Sequence, residues 1–592
     1  MKIGVKSRLK FTLLFVIIGL LPMVLVSLIA TYSGTQDIKQ KVYNQLTAIN
    51  QIKKQAILDY FKERKSDLIV LRDTANTLSS QAFAKLANTQ DLKKAQIQDY
   101  LKANNAQLHF LASQQSVKNH LIEINQAFDN PIRWGELLDQ HDKDYNNLLA
   151  LFGWYDFFLI NLEGDIIYSV IRESDLGQNL SKDLTQSSFN FAFNAAKSGP
   201  DDKIQFADYL AYKPSNDTPA AFGIKPVTLE GERIGYIAYQ QPIEKINEIL
   251  GHRIGMGRSG ESYLVGQDHL MRSDSFSTPE KYSIESSFAN QNKVQTKAVI
   301  EGLSKHRGTG IIMGKKNQPV LSHWDYIELD KDHHWALISE INVAEALNPT
   351  TSRGKDYYEN YIEHYGYYDL FLIQPDGHIF YSVKKDDAYQ TNIFNGPFAN
   401  TNLAQAIRET AKTGHYAFVD FAAYIPSDTP AAFIAQPIKD SKGATMLYIA
   451  LEMPTEGITN IMDNRKGMGE TGESILVGED FKMRSNSYLD PIKHSVKASL
   501  SGTVEENGID NLIIRKALEG ISGAELIVDY HGHTVLASYD RVSFENFNWA
   551  IVSEIDEEEA FASIYEYTYL IFAIMLLSAL LLALIGFIVG KD

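Results

Sequence analysis

The chain has 592 residues, 44% of them hydrophobic and 22% charged, with 56 basic against 73 acidic side chains and a formal net charge of −17. These are the proportions of a folded protein, which excludes wholesale disorder and fibrous repeats, and so acidic a surface argues against nucleic acid as a partner. Having no cysteine excludes disulfides, thiol nucleophiles, thiolate zinc sites and iron–sulfur clusters.

At roughly 150 residues per domain the length corresponds to about four domains. Residues 1–10 carry Lys2, Lys6, Arg8 and Lys10. Residues 11–32, Phe11 to Tyr32, are uncharged. About 20 such residues cross a bilayer as a helix. The run exceeds the ~7–15 apolar residues of a secretory signal, and Ala30-Thr31-Tyr32 is a poor cleavage site. Pro22 is tolerable in a membrane helix. The basic cluster places residues 1–10 in the cytoplasm.

Residues 33–147 read as a helical stalk. Leu68 and Leu71 sit at helical spacing, and Lys53-Lys54, Ile57 and Tyr60 are echoed by Lys93-Lys94, Ile97 and Tyr100. About 75 helical residues would reach ~110 Å, so the stalk is expected to carry a first module, 148–345, to a membrane-distal position. A second, membrane-proximal module, 346–567, runs into a second span at 568–590. There Tyr569 to Val589 is uncharged and Tyr565, Tyr567 and Tyr569 form an aromatic belt. Two spans put both termini on one side. The expected location is therefore the inner membrane, two-pass, with the intervening region periplasmic and any cytoplasmic output domain beyond Asp592.

The two modules are copies. Trp154-Tyr155-Asp156-Phe157-Phe158-Leu159-Ile160 returns as Tyr367-Tyr368-Asp369-Leu370-Phe371-Leu372-Ile373. Asp217-Thr218-Pro219-Ala220-Ala221-Phe222 returns as Asp428-Thr429-Pro430-Ala431-Ala432-Phe433, and Met271-Arg272-Ser273 as Met483-Arg484-Ser485. Within a copy the patterns predict strands at 157–160, 166–170, 206–212, 220–224 and 235–240, with a helix over 181–197. A second set follows at 261–265, 270–273, 319–325 and 334–341. Each module thus holds two smaller α/β units. Each ends on a capping box, Asn342 to Glu345 and Asp556 to Glu559, so a strand hands directly to a helix.

The motifs Tyr-Asp-x-Phe-Leu-Ile, Gly-x-Ile-x-Tyr-Ser-Val, Pro-Ser-x-Thr-Pro-Ala-Ala-Phe, Gly-Met-Gly-x-x-Gly-Glu-Ser and Asn-Trp-Ala-Ile-x-x-Glu-Ile resemble double Cache sensory domains. These are PAS-like modules of bacterial transmembrane receptors, most like those of methyl-accepting chemotaxis receptors. The resemblance covers most of residues 150–345 and 360–560. It implies an α/β (α+β) fold of two tandem double Cache modules: four PAS-like units with antiparallel sheets, on a helical stalk between two transmembrane helices. It also implies a ligand pocket in the distal unit of a module. The family's amino-acid-binding pattern places an Arg and a Trp there, and this chain has no clear copy of them.

Candidate ligand-binding residues are Tyr168, Asp208, Tyr209 and Tyr212 in the first module and Tyr381, Asp420 and Tyr424 in the second. Tyrosine hydroxyls and a carboxylate suit a small polar ligand, including one with an ammonium group. Arg272 and Arg484 could bind an anion, but are expected instead to pair with a nearby carboxylate such as Glu261 or Glu473. Gly255-x-Gly-x-x-Gly260 and Gly467-x-Gly-x-x-Gly472 match a dinucleotide fingerprint literally, but each precedes a strand instead of opening a helix, so they read as turns. His333-His334, and His531 with His533, lack partners at metal-ligand spacing and read as surface loops. No catalytic triad or cofactor motif emerges, and the reading is a non-enzyme.

The expected function is a sensory receptor region, most like a chemotaxis receptor, that binds a small extracellular ligand and signals through the second span. The expected partners are a small polar ligand, membrane lipid, a second copy of the chain in a homodimer, and cytoplasmic signalling partners; no nucleic acid or cofactor is expected. The alternatives are the sensor region of a histidine kinase or nucleotide cyclase, or a membrane scaffold without a ligand.

Overall fold

A computed structural model describes residues 5–350, 354–440 and 442–589. Of the N-terminal basic cluster, Lys2 lies outside the described residues. One helix runs without interruption from Val5 to Ser113, through Pro22. A second long helix, Glu557–Val589, closes the chain. The apolar stretches of these two helices are long and hydrophobic enough to cross a membrane, and neither is buried in the protein. They touch each other: a Cβ added to Gly19 would lie 2.6 Å from Leu582 Cδ1, the close approach that small residues permit between membrane helices.

The chain divides into two compact units, residues 74–357 and residues 1–73 with 358–592. Each holds one five-stranded and one four-stranded antiparallel sheet, so the expected four α/β units are present.

In residues 74–357 the first sheet comprises β1 (Asp156–Ile160), β2 (Ile166–Ser169), β3 (Gln205–Tyr212), β4 (Thr218–Leu229) and β5 (Glu232–Gln241), in the order β2-β1-β5-β4-β3. The β1–β2 turn is set by Asn161, whose side chain accepts from the N–H groups of Gly164 and Asp165, and by Gly164 at φ +96°. β1 is buried on both faces. Phe157 and Leu159 pack on the helices Gln115–Ala127 and Pro131–Phe152, while Phe158 and Ile160 pack under the helix Ser188–Ser198. The second sheet has β6 (Glu261–Val265), β7 (Gly308–Met313), β8 (Pro319–Glu328) and β9 (His334–Asn342), in the order β6-β9-β8-β7.

Residues 358–592 repeat this plan. β10 (Asp369–Ile373), β11 (Ile379–Ser382), β12 (Ala417–Tyr424), β13 (Thr429–Lys439) and β14 (Thr445–Met453) form the five-stranded sheet. β15 (Glu473–Gly478), β16 (Gly523–Val528), β17 (Thr534–Phe544) and β18 (Phe547–Asp556) form the four-stranded one.

Several expectations are corrected. The stalk is broken after Ser113 and again before Pro131, where Asn130 caps a new helix. The helix expected over 181–197 begins only at Ser188, because Ser187 accepts from the Asn190 N–H and fixes the start there. Residues 270–273 form no strand: Met271 makes one isolated bridge to Val265. β7 was not expected, since this exposed edge strand has no apolar periodicity.

The long helix buries its apolar face within the chain. In residues 1–73 Phe61 sits among Phe418, Phe544, Phe547 and Trp549, with ring centroids 5.1–5.4 Å away. The sequence echo has a structural counterpart. Lys53 and Lys93 are both buried, donating to the carbonyls of Met462 and Leu250, and burial pushes both amines down to about 8. Lys54 and Lys94 pair with the equivalent carboxylates Asp540 and Asp325. The apolar face of the helix beyond its N-terminal apolar stretch is thus covered from within the chain.

Candidate functional site

The seven expected ligand residues do not converge on one place. In each module the strand carboxylate is the hub that joins the two sheets. Asp208 accepts from both Arg272 Nε, at 2.9 Å, and Trp335 Nε1, at 3.0 Å. Asp420 does the same with Arg484 and Trp549, at 2.9 and 3.1 Å. Arg272 and Arg484 are nearly inaccessible, and each also pairs with a carboxylate four residues earlier, Asp268 and Asp480. The arginines pair with carboxylates, as expected, but the partners are not Glu261 and Glu473: one lies four residues earlier and the sheet crossing brings the other from 64 positions away.

The tyrosines face different layers. Tyr168 donates to Asp142 Oδ1 at 3.1 Å on the face covered by the helices before β1. Tyr209 packs against Trp335 in the core of the four-stranded sheet. Tyr212 points to the opposite face of its own sheet, into the core under Ser188–Ser198. Tyr381 packs against Tyr358, and Tyr424 occupies the place of Tyr212.

The equivalent pair Tyr212 and Tyr424 separates the two modules. The Tyr212 hydroxyl donates to Asp175 Oδ2 at 2.6 Å, leaving Asp175 Oδ1 unpartnered. The backbone bonds of this loop align Asp175 with Ala388, since Leu176 N to Glu173 O corresponds to Tyr389 N to Asp386 O. With Ala388 there, the Tyr424 hydroxyl is buried without a partner. The opposite wall changes in the other sense. Gln240, across from Asp156, becomes Glu452, across from Asp369. Glu452 Oε1 accepts from Ser427 at 2.9 Å, whereas Oε2 has no partner.

Around Tyr424 the C-terminal module thus gathers the carboxyl groups of Glu452, Asp369 and Asp386, each close enough to act on its hydroxyl, and Tyr368 donates to Asp386. Burial, then the charges of Asp369 and Asp386, push Glu452 up to about 8. Burial pushes Asp369 up to about 6 against four hydrogen bonds, and it raises Asp156 to about 7 in the other module. Among the described residues no cation pairs with Glu452. The cluster combines carboxyl acceptors and latent negative charge with the unused hydroxyl of Tyr424. Tyr424 also borders a separate small cavity of about 190 Å³ with Thr429, Pro430 and Lys497, which Glu452 does not line.

Two larger clefts lie in the four-stranded units. One, of about 590 Å³, is lined by Tyr282, Thr296, Ile312 and Lys315. The other, of about 1050 Å³, is lined by His494, Asn507, Asp529, Tyr530 and His531. In the first unit Lys315, its side chain 1% exposed, pairs with Glu261 and Glu340. In the second, the β-hairpin register puts Tyr530 at that position. Asp529, His533 and Asp556 gather there, with ligating atoms all within 4.8 Å of one another. The sequence hid this group because Asp556 joins it from the next strand through the β17–β18 register, which spacing alone does not show.

The glycine motifs are turns, as expected, with a further role. Their backbone N–H groups are occupied: those of Arg258 and Ser259 donate to Glu345, and those of Glu470 and Thr471 donate to Glu559. Asn342 N and Asp556 N donate to the Ser259 and Thr471 hydroxyls. Glu345 and Glu559 thus bind the glycine loop and do not close the expected reciprocal capping boxes. After β9 the helix is short, Val343–Leu347; after β18 it continues as Glu557–Val589. In the C-terminal module the glycine loop is thereby clamped to the start of the long apolar helix Glu557–Val589.

No protein-family profile and no curated protein matches the chain. Among solved structures, the ligand-binding domain of the Pseudomonas fluorescens chemoreceptor CtaA in complex with L-isoleucine is 14% identical. That match covers 33% of this chain and 72% of that one, at a TM-score of 0.24. The V. cholerae histidine kinase DctB sensor domain is 10% identical, covering 44% and 98%, at 0.31. The extracellular domain of the putative histidine kinase vpHK1S-Z8 is 13% identical, covering 46% and 94%, at 0.30. The solved structures to which parts of this chain are similar are thus sensor and ligand-binding domains of chemoreceptors and histidine kinases, at low identity and partial coverage.

Proposed function

We propose that this chain is the sensor region of a transmembrane receptor, most like a chemotaxis receptor, and that its C-terminal module binds a small ammonium-bearing molecule. The observation that carries the reading is the pair of buried, unpartnered polar groups, the Tyr424 hydroxyl and Glu452 Oε2, in the module where Ala388 takes the place of Asp175. Such groups cost about 1–3 kcal/mol each when left unmade, and a cationic donor would satisfy both. Asp369 and Asp386 add the field that selects a cation. Asp208 and Asp420 serve as joints between sheets, and in the N-terminal module the Tyr168 and Tyr212 hydroxyls are already taken by Asp142 and Asp175.

The route outward follows the chain. The pocket sheet is joined through Asp420 to Arg484 and Trp549, and Trp549 lies on β18, which leads into the helix Glu557–Val589. A ligand favouring one arrangement of this joint would shift a two-state balance at the second span. The proposal includes a two-pass inner-membrane protein with a periplasmic sensor, a homodimer and an output domain encoded beyond Asp592. Ile52 and its echo Leu92 are exposed on the outer face of the long helix, available to a second copy. The sensor region of a histidine kinase or a nucleotide cyclase would differ only in that output.

The test is a thermal-shift screen of the full chain in detergent against amines, amino acids and carboxylates. Saturable stabilisation by an ammonium-bearing compound, lost in Tyr424→Phe and Glu452→Gln, supports the reading. Stabilisation confined to carboxylates without an ammonium group refutes the ligand class.

A further inference from the structure

The duplication supplies an internal control for the four-stranded units. In the N-terminal copy two buried glutamates, Glu261 and Glu340, face each other across β6 and β9. Lys315 neutralises both, and Tyr263 donates to Glu340 at 3.1 Å. In the C-terminal copy the glutamates persist as Glu473 and Glu554, opposite each other on β15 and β18. The lysine is gone. Tyr530 in its place donates to Glu473, and no cation reaches Glu554 among the described residues. Two buried carboxylates without a counter-charge are costly.

Three neighbouring positions change together with the lysine. The hairpin registers Met313 with Pro319 and Val528 with Thr534, and Val320 with Asn342 and Val535 with Asp556. They align Gly314, Gln318 and Asn342 of the first copy with Asp529, His533 and Asp556 of the second. Three residues with no charge become two carboxylates and an imidazole. Asp529 Oδ1 is used by the N–H groups of His531 and His533, which holds the carboxylate in the hairpin turn. Its Oδ2 has no partner, although the residue is only 8% exposed. Glu554, 4% exposed, likewise has an unpartnered Oε1 and feels the charges of Glu473, Asp529 and Asp556. His533 Nδ1 lies 3.9 Å from Asp556 Oδ2, too far for a hydrogen bond and close enough to share a ligand.

We infer that Asp529, His533 and Asp556 bind a divalent transition cation, which replaces the lysine of the N-terminal copy, with Glu554 facing the ion. Two carboxylates and an imidazole suit zinc or manganese better than calcium, which prefers an all-oxygen shell. The site has a mechanical consequence. Asp529 and His533 flank the β16–β17 turn, and Asp556 is the last residue before the helix Glu557–Val589. A bound ion would tie that hairpin to the strand-to-helix junction. This site is separate from the ammonium pocket on the five-stranded sheet and does not depend on it.

The test uses the full chain in detergent, stripped with a chelator and titrated with Zn2+ alone, with Mn2+ and Ca2+ as comparisons. Calorimetry is expected to show one Zn2+ per chain, with a raised Tm reversed by chelator. His533→Ala and Asp529→Asn should weaken binding by at least the roughly 10–100-fold that even outer-shell partners of metal sites cost. Tyr530→Lys restores the internal cation of the first copy and should abolish binding while keeping or raising the metal-free Tm, which separates loss of the site from misfolding. Gln318→Ala, at the equivalent place in the first copy, should leave the titration unchanged. Absence of saturable Zn2+ binding, or binding that survives both His533→Ala and Tyr530→Lys, overturns the inference.

Discussion

Replacing Glu452 with glutamine converts the C-terminal pocket wall to that of the N-terminal module and gives a prediction with a definite sign. Glu452 titrates near 8 in the folded chain because burial and two neighbouring carboxylates disfavour its charge. In the unfolded chain it titrates near the usual ~4.3. The folded state therefore binds the extra proton over this interval. Stability associated with the group is fully present below the unfolded value and is lost as pH rises through about 8. At about 1.4 kcal/mol per pH unit, the full displacement is on the order of 5 kcal/mol, an upper bound that water entry into the charged site lowers. Glutamine keeps an oxygen for Ser427 and carries no charge. Glu452→Gln should be nearly neutral at pH 5 and stabilising by about 2 kcal/mol or more at pH 9. The assay is unfolding of the full chain in detergent at a series of pH values, followed by tryptophan fluorescence. A stability difference that is flat across this range, or that grows toward acid, refutes the account of the pocket.

Phe61→Ala should destabilise residues 1–73 with 358–592 by about 3–5 kcal/mol, seen as an earlier transition and faster proteolysis near Phe544, because four aromatic partners lose their shared ring. Arg484→Met should cost about 3–5 kcal/mol by leaving Asp420 buried and unpaired, and the double variant with Asp420→Leu should recover most of that loss in the same melt. Gly469→Ala places a Cβ against the Glu559 carboxylate at φ +72° and should raise hydrogen exchange at Glu470 and Thr471, whereas Gly532→Ala, with open space but φ +88°, should cost only the backbone strain, about 1 kcal/mol.

The duplication, the two long apolar helices and most strands were legible because they rest on local signals: uncharged runs, alternation and repeated motifs. β7 was missed because an exposed edge strand has no apolar face to display. The candidate site was legible only in its residue types. Tyr424 was named, but its open hydroxyl depends on Ala388, which breaks no local rule, and on Glu452, two strands away in the sequence. Asp208 and Asp420 were singled out as ligand-binding residues, yet both carboxylates are held by an arginine 64 residues distant. The capping boxes were read from spacing that is satisfied in sequence, while Glu345 and Glu559 find better donors in the glycine loops. Long-range pairing, which register alone sets, was the part that spacing could not convey.

The central claim is that the C-terminal module holds a small cationic ligand between Tyr424 and Glu452. Its most direct test is a calorimetric titration of the full chain in detergent with the ammonium compound that gives the largest thermal shift, beside Tyr424→Phe, Glu452→Gln and, in the other module, Tyr212→Phe. The account predicts one saturable site, weakened at least about tenfold, or ~1.4 kcal/mol, by each C-terminal substitution and unchanged by Tyr212→Phe. Binding that is unaffected by Tyr424→Phe and Glu452→Gln, or lost with Tyr212→Phe, would contradict it.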